Sequence, residues 1–494
     1  MDSATTLHPR PNALAFALAL AALGSIPATS RAAPSQPNGS ILWQVENCND
    51  SGPGSLRDVA AHARHGDGID LSALACSTIS LTSGAIALPD VELAGPGATT
   101  LTIDGAGNGG KRIFDHAGNG GILTIRDLTV RGAKYESVAG KGGACLRSTG
   151  STVRISDAVF DGCLAFAPVG TGGAVRGGAI AVYGNDTTLS RVTLSGNQVR
   201  SANGDALGGG LYAADGFLTI EDSTITGNSA TTSGASSAVH GGGFFTRGWA
   251  FIDSSTLDGN VSEGFGGGAV VRAGGWVVRS TISNNASVGG ASGIAFHGAQ
   301  STQAGVYSST ITGNETEASN QWLSGALYMN TSPAVIRNST IAGNIESNVD
   351  GVSHGAGILF GLATSQYLTI SSTIVHGNHL RDTTIGADIG GPLGYRIEGS
   401  NNLIGVSLIH VPYDTLHDDP QLGPLQDNGG PTRTRMPGAD GGAIDRGDDN
   451  DAGTDQRGFP RIQGLAADIG AVEAPPSSDL IFRNGFDHCV GLCP

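Results

Sequence analysis

"GGGLYAADGFLTIEDSTITGN" occupies positions 208–228, and its reading decides the fold. Apolar and polar residues alternate in three short runs: Leu211 with Ala213, Leu218 with Ile220, and Ile225 between Thr224 and Thr226. A period of two means β-strand. Ile220 and Ile225 are five residues apart, an odd spacing, so the alternation breaks at Glu221-Asp222 and the chain must turn a corner there. The last six letters return unchanged at 309–314, and in varied form as STLDGN at 255–260 and STIAGN at 339–344.

Aligning on Ser-Thr-(Ile/Leu) gives Ser223, Ser255, Ser280, Ser309, Ser339 and Ser372, with intervals of 32, 25, 29, 30 and 33 residues. A glycine marker precedes these triplets: GGAI at 177–180, GGGL at 208–211, GGGF at 241–244, GGAV at 267–270, SGAL at 324–327 and GAGI at 355–358. Two markers that move together across elastic intervals define one structural unit with a loop that accepts insertions. A lone unit of three short strands cannot bury its apolar residues, so the units must stack. The pattern predicts an all-β, right-handed parallel β-helix in which Ile225 of one coil lies about 4.8 Å over Leu257 of the next. Glycine at 227, 259, 313, 343 and 377 supplies a backbone shape that other residues resist, and the Asn after each can hydrogen-bond its copies above and below. A β-propeller blade needs four strands in roughly 40 residues or more, and these units are too short for it. Residues 101–410 have room for roughly ten coils, a rod on the order of 50 Å long.

Composition narrows the class further. Glycine is 79 of 494 residues without strict three-residue spacing, and aliphatic residues recur between the glycines, which excludes collagen and plain disorder. The net charge of −16 and the absence of any Lys/Arg run speak against a nucleic-acid partner; a soluble monomer is expected. Residues 1–33 read as an export signal, with Arg10 ahead of the apolar stretch at 13–26 and small residues leading to cleavage near Ala32 or Ala33. No other apolar run approaches the roughly 20 residues of a membrane helix. The six cysteines fall in near pairs, Cys48 with Cys76, Cys145 with Cys163 and Cys489 with Cys493, as disulfides in an oxidising compartment would; spacing alone does not fix their connectivity.

On these repeats, over about 100–400, the chain resembles bacterial right-handed parallel β-helix repeat proteins, with units similar to those of the polymorphic outer-membrane proteins. Residues 415–473 resemble the choice-of-anchor Q domain through LGPLQDNGGPT, AID-x-G, DQRG-x-PR and DIGA-x-E, although the run before AID is shorter here. That resemblance implies a domain that closes a β-helix ahead of a surface-anchoring or sorting tail. The stretch opening with SGPGSLRD reads as a turn into a short amphipathic helix over 55–64, resembling the cap of the first coil. The expected divisions are a signal at 1–33, an N-terminal cap and first strands at 34–100, coils at 101–410, the choice-of-anchor Q-like domain at 411–474 and a linker with tail at 475–494. That tail is too short for an outer-membrane barrel.

β-helices also carry polysaccharide lyases and glycoside hydrolases, so catalysis is the rival reading. An inverting hydrolase needs paired carboxylates around one sugar bond. Asp-Asp pairs occur only at 418–419 and 448–449, outside the repeats. Asp222, Asp253 and Asp258 stand singly at strand corners, where a solvated turn residue is the ordinary reading; only a cluster across coils could build a lyase site. His240 and His354 hold equivalent places but are four coils apart, about 19 Å at the rung spacing, too far to share a metal. The histidines of HGNH at 376–379 read as turn residues. Asp449, Asp451 and Asp455 of an acidic run are the calcium candidates, without the EF-hand order; no other cofactor is expected. The expectation is an exported, extracellular or cell-surface, non-catalytic, adhesin-like β-helix protein whose flank binds a polysaccharide or another surface. Trp249, Trp276 and Trp322 are the candidate rings for stacking on sugar.

Overall fold

The structure, a computed structural model, describes residues 39–475 except 138–140, 172, 235–237, 299–301, 318–323, 348–353, 362–367, 384–385, 393 and 449–452. Residues 1–33, read above as an export signal, and Trp322, Asp449, Asp451, Cys489 and Cys493 lie outside the described residues.

Strands paired in parallel build a β-helix of about nine full turns, closely matching the expected architecture. One turn shows the plan. Leu211–Ala213 belongs to an eleven-stranded sheet (sheet 2), and Phe217–Glu221 and Thr224–Thr226 form two ladders of a 22-stranded sheet (sheet 1). Ser229–Thr232 lies in a nine-stranded sheet (sheet 3) and Val239–His240 in a short three-stranded one (sheet 4). The corner required by the odd spacing is real. Asp222 bends sheet 1 with φ 48°, and Ser254, Arg279, Ser308 and Asn338 bend the next turns with φ 44–50°. The leading ladder stacks Leu189, Ile220, Ile252, Val277, Val306, Ile336 and Ile370 inward, and the trailing ladder stacks Leu194, Ile225, Leu257, Ile282, Ile311 and Ile341. All of these are essentially without exposure.

Two polar ladders explain the recurring letters. The hydroxyls of Ser223, Ser255, Ser280, Ser309 and Ser339 each donate to the carbonyl two residues earlier and accept an N–H from the preceding turn. Ser255 Oγ, for example, donates to Asp253 O (2.7 Å) and accepts from Ser223 N (3.0 Å). The corner asparagines form the second ladder, from Asn197 through Asn228, Asn260, Asn285, Asn314 and Asn344 to Asn378. Each Nδ2 donates to the next Oδ1 at 2.7–3.0 Å. All are buried. At one end Asn197 Oδ1 accepts from Cys163 N (2.9 Å), and Cys163, which takes the asparagine position on its turn, is bridged to Cys145. At the other, Asp388 accepts from Asn378 N and Nδ2 (2.8 and 2.7 Å) and from Val406 N (2.8 Å). Burial pushes the Asp388 carboxyl up, against the pull of those N–H groups.

The register departs from the marker alignment twice. Val375, not Ile374, pairs with Ile341, so Ser372 is the left-handed corner residue (φ 47°) and Thr373 plays the serine role. Thr373 Oγ1 accordingly donates to Ser371 O and accepts from Ser339 N. Likewise Ala269, not Val270, pairs with Phe244, so the glycine marker on that turn starts at Gly266. The Gly-Asn corner fixes the register because its buried amide has one position in the ladder; the serine position tolerates a slip because a threonine hydroxyl makes the same two bonds.

At the N-terminal end a short helix, Leu56–His62, covers the first turn with Leu56, Val59 and Ala60 buried and Ser55 as N-cap. Cys48 and Cys76 are disulfide-bonded beside it. The described residues of 417–475 have little regular structure and run back along the outward face of the trailing ladder. There Thr281, Thr310, Thr340, Ile374 and Leu403 are buried, whereas Thr193, Thr224 and Thr256 on the uncovered turns are half-buried.

Candidate ligand-binding face and C-terminal clasp

In the leading ladder of sheet 1 the residues alternating with the core positions point outward. Register pairs Phe217 with Trp249, Phe251 with Trp276, and Trp276 with Gly305. Trp249 and Trp276 therefore stand on one face with Phe217, Phe251 and Tyr307. Trp276 and Tyr307 rings lie 5.4 Å apart. Gly305 makes room for this: a Cβ there would meet the Trp276 ring at 2.5 Å and Tyr307 at 2.7 Å. Phe217 is 60% exposed, and the other rings are half-buried. Phe217, Phe251 and Tyr307 were missed in the sequence because single outward aromatics gain meaning only when register brings them side by side. Burial pushes the Tyr307 phenol up to about 12, so it stays protonated.

Beside these rings Glu221 and Asp253 occupy the same ladder position on adjacent turns. Burial raises both carboxyls, and they repel each other and Asp222. Arg279 Nη2 pairs with Asp253. Asp258 accepts from Ser283 Oγ and Asn284 Nδ2 (2.7 and 2.8 Å), a corner role.

The polar side chains of the C-terminal segment act as staples. Gln456 is fully buried: its Nε2 donates to Thr281 Oγ1 and Thr432 Oγ1 (both 2.9 Å), and its Oε1 accepts from Thr310 Oγ1 (2.6 Å). Arg461, 2% exposed, donates to Gly470 O, Asp468 O and Asn338 Oδ1. Asp455 gives its oxygens to Arg457 and to the N–H groups of Arg457, Phe459 and Glu473. That places this calcium candidate in an ion pair inside the segment. Asp445, Asp468 and Glu473 line a cavity of about 280 Å³. Their oxygens accept N–H from Leu465, Ala466, Asp445, Ala474, Gln463 and Asp468, so they hold an irregular chain in shape. Among the described residues no group of three His, Cys, Asp or Glu is placed to hold a metal ion. His379 Nδ1 contacts Gly377 O of its own corner (3.0 Å).

Two results are expected of this clasp. Gln456→Ala removes the buried side-chain bonds to Ser280, Thr281, Thr310 and Thr432 and costs about 2 kcal/mol locally. Limited proteolysis should then cut within 430–475 while the coils survive, and an unchanged cutting rate would contradict the clasp. The second concerns pH. Burial lifts the Glu473 carboxyl from 4.5 to about 7, helped by the Asp468 charge and opposed by the N–H groups of Asp468 and Gln463 and by Arg461. Between those values the folded clasp holds a proton that the unfolded chain has lost, so this contribution is full at low pH and fades as pH rises toward 7. Amide exchange over 463–474 should speed up across that window beyond its intrinsic pH dependence, and should not in Glu473→Gln.

No helix among the described residues is long and apolar enough to cross a membrane. In comparisons with known proteins, no family model matches the chain, and no curated protein or solved structure matches it significantly.

Proposed function

We propose that this is an exported, non-catalytic β-helix protein that holds a neutral polysaccharide chain against the aromatic strip of sheet 1. The observation that carries the reading is the placement of Phe217, Trp249, Phe251, Trp276 and Tyr307 on one outward face of successive turns. Flat rings at a fixed rung spacing present apolar faces to successive sugars, and the rigid ladder spends little ordering entropy on binding. The leader-like first 33 residues and the two disulfides agree with an extracellular or cell-surface location. In this reading 415–473 is a choice-of-anchor Q-type closing domain and the tail serves attachment.

Trp276→Ala should weaken binding to a soluble neutral glucan about tenfold, or about 1.4 kcal/mol, in affinity electrophoresis. Unaltered mobility in both Trp249→Ala and Trp276→Ala would sink the proposal.

One observation favours catalysis: Glu221, Asp222 and Asp253 lie together beside Arg279 at the edge of the strip. Incubation with neutral and acidic polysaccharides, with and without calcium, decides between the readings. New reducing ends or unsaturated products, abolished by Glu221→Gln, would replace binding with a glycosidase or lyase function.

A further inference from the structure

Sheet 2 has an outward face of different chemistry. Its outward residues Tyr212, Phe245, Val270, Ala295 and Tyr328 are buried with Phe265 in a cluster separate from the core. Tyr212 and Phe245 stack at 5.7 Å, and Phe265 meets Tyr328 edge-on at 5.4 Å. Two residues beyond Phe245, Val270 and Ala295 stand Arg247, Arg272 and His297. Their N–H groups bind Ala213 O, Thr246 O and Val271 O of the preceding turn, so the three form one column with a rise of about 4.8 Å.

Arg247 and Arg272 are exposed, and neither makes a side-chain hydrogen bond or ion pair among the described residues. Arg176 lies over the Tyr212 ring at 5.7 Å. His297 packs between Phe265 and Tyr328, and His240 against Phe245 and Phe265. The acids near this face are Asp205, by His240, and Asp215, by Tyr212. Two arginines in register on adjacent turns repel one another. An anion repeating at the same spacing relieves that repulsion. The backbone of the column is held by its ladder to the preceding turn, and His297 is packed between Phe265 and Tyr328.

We propose that this column binds an acidic polysaccharide, with carboxylates of successive sugars meeting Arg247 and Arg272. The extended glycan advances by about one rung per sugar, which matches charge to charge along the rod. The site shares the ligand class of the function proposed above but lies on another sheet and stands without it. The test uses the full mature chain with polygalacturonate, its methyl ester, and single-stranded DNA in affinity electrophoresis at low and high salt. Polygalacturonate should retard the protein in a salt-sensitive way, and the double variant Arg247→Ala/Arg272→Ala should lose at least tenfold in affinity with its melting curve unchanged. Trp276→Ala should retain this binding, which separates failure of the strip from failure of the column. Equal retardation of the double variant, equal binding of the ester, or equally tight DNA binding would overturn the proposal.

Discussion

Asn260→Ala should destabilise the β-helix by about 4 kcal/mol, more than any exposed substitution on the same turn. Asn260 Oδ1 accepts both the backbone N–H and the Nδ2 of Asn228, while its own Nδ2 donates to Ile225 O and Asn285 Oδ1, each at 2.9–3.0 Å. Alanine leaves two N–H groups of Asn228 and the Ile225 carbonyl buried without those partners. A buried unsatisfied group costs about 1–3 kcal/mol, so three outweigh the hydrophobic gain of a methyl. The damage should spread along the rod, because each amide in the chain polarises the next. Urea unfolding followed by circular dichroism measures the effect; a loss below about 1 kcal/mol would mean that the ladder is incidental.

Gly209→Ala should cost about 3 kcal/mol or prevent stacking of its turn. A Cβ at 209 would collide with Gly242 O of the next turn and with Ser229 O at 2.6 Å. Gly178, Gly242 and Gly267 meet the same obstruction on their turns, so the glycine marker is a column where backbones touch. Gly227 serves a different purpose. It has φ 63° with nothing nearer than Gly196 N at 3.9 Å, so Gly227→Ala should cost only about 1 kcal/mol of backbone strain. Comparable losses in the two variants would show that contact between turns is not what the marker protects.

Much of this was legible because the β-helix writes each contact as a repeat. The odd spacing at Glu221-Asp222 gave the bend, and the Asn after each corner Gly gave the buried ladder. The two register slips arose where a second residue imitated the marker: Ser371 beside Ser372, and a fourth small residue after Gly266-Gly267-Gly268. The ladder members Asn285, which follows Asn284 in place of glycine, and Cys163 broke the letter pattern while keeping the geometry. The return path of 417–475 was not legible at all. STITGN at 223–228 lies open while the identical letters at 309–314 are covered, so nothing local distinguishes a turn that receives the clasp from one that does not. The outward aromatics were half legible, since Trp249 and Trp276 drew notice as tryptophans but their neighbours needed the register to join them.

The returning segment also changes how the rod can come apart. A bare stack of turns can lose them from an end one by one, since each touches only its neighbours. Here Thr432 binds Arg279 O, Gln456 binds Ser280 O, Arg461 binds Asn338 and Gly470 binds Ser372 O, fastening separate turns to a single strap. Fraying from the C-terminal end must first tear that strap away, so the strapped turns yield to heat or pulling force as one block, and their full assembly waits until the strap itself has been synthesised.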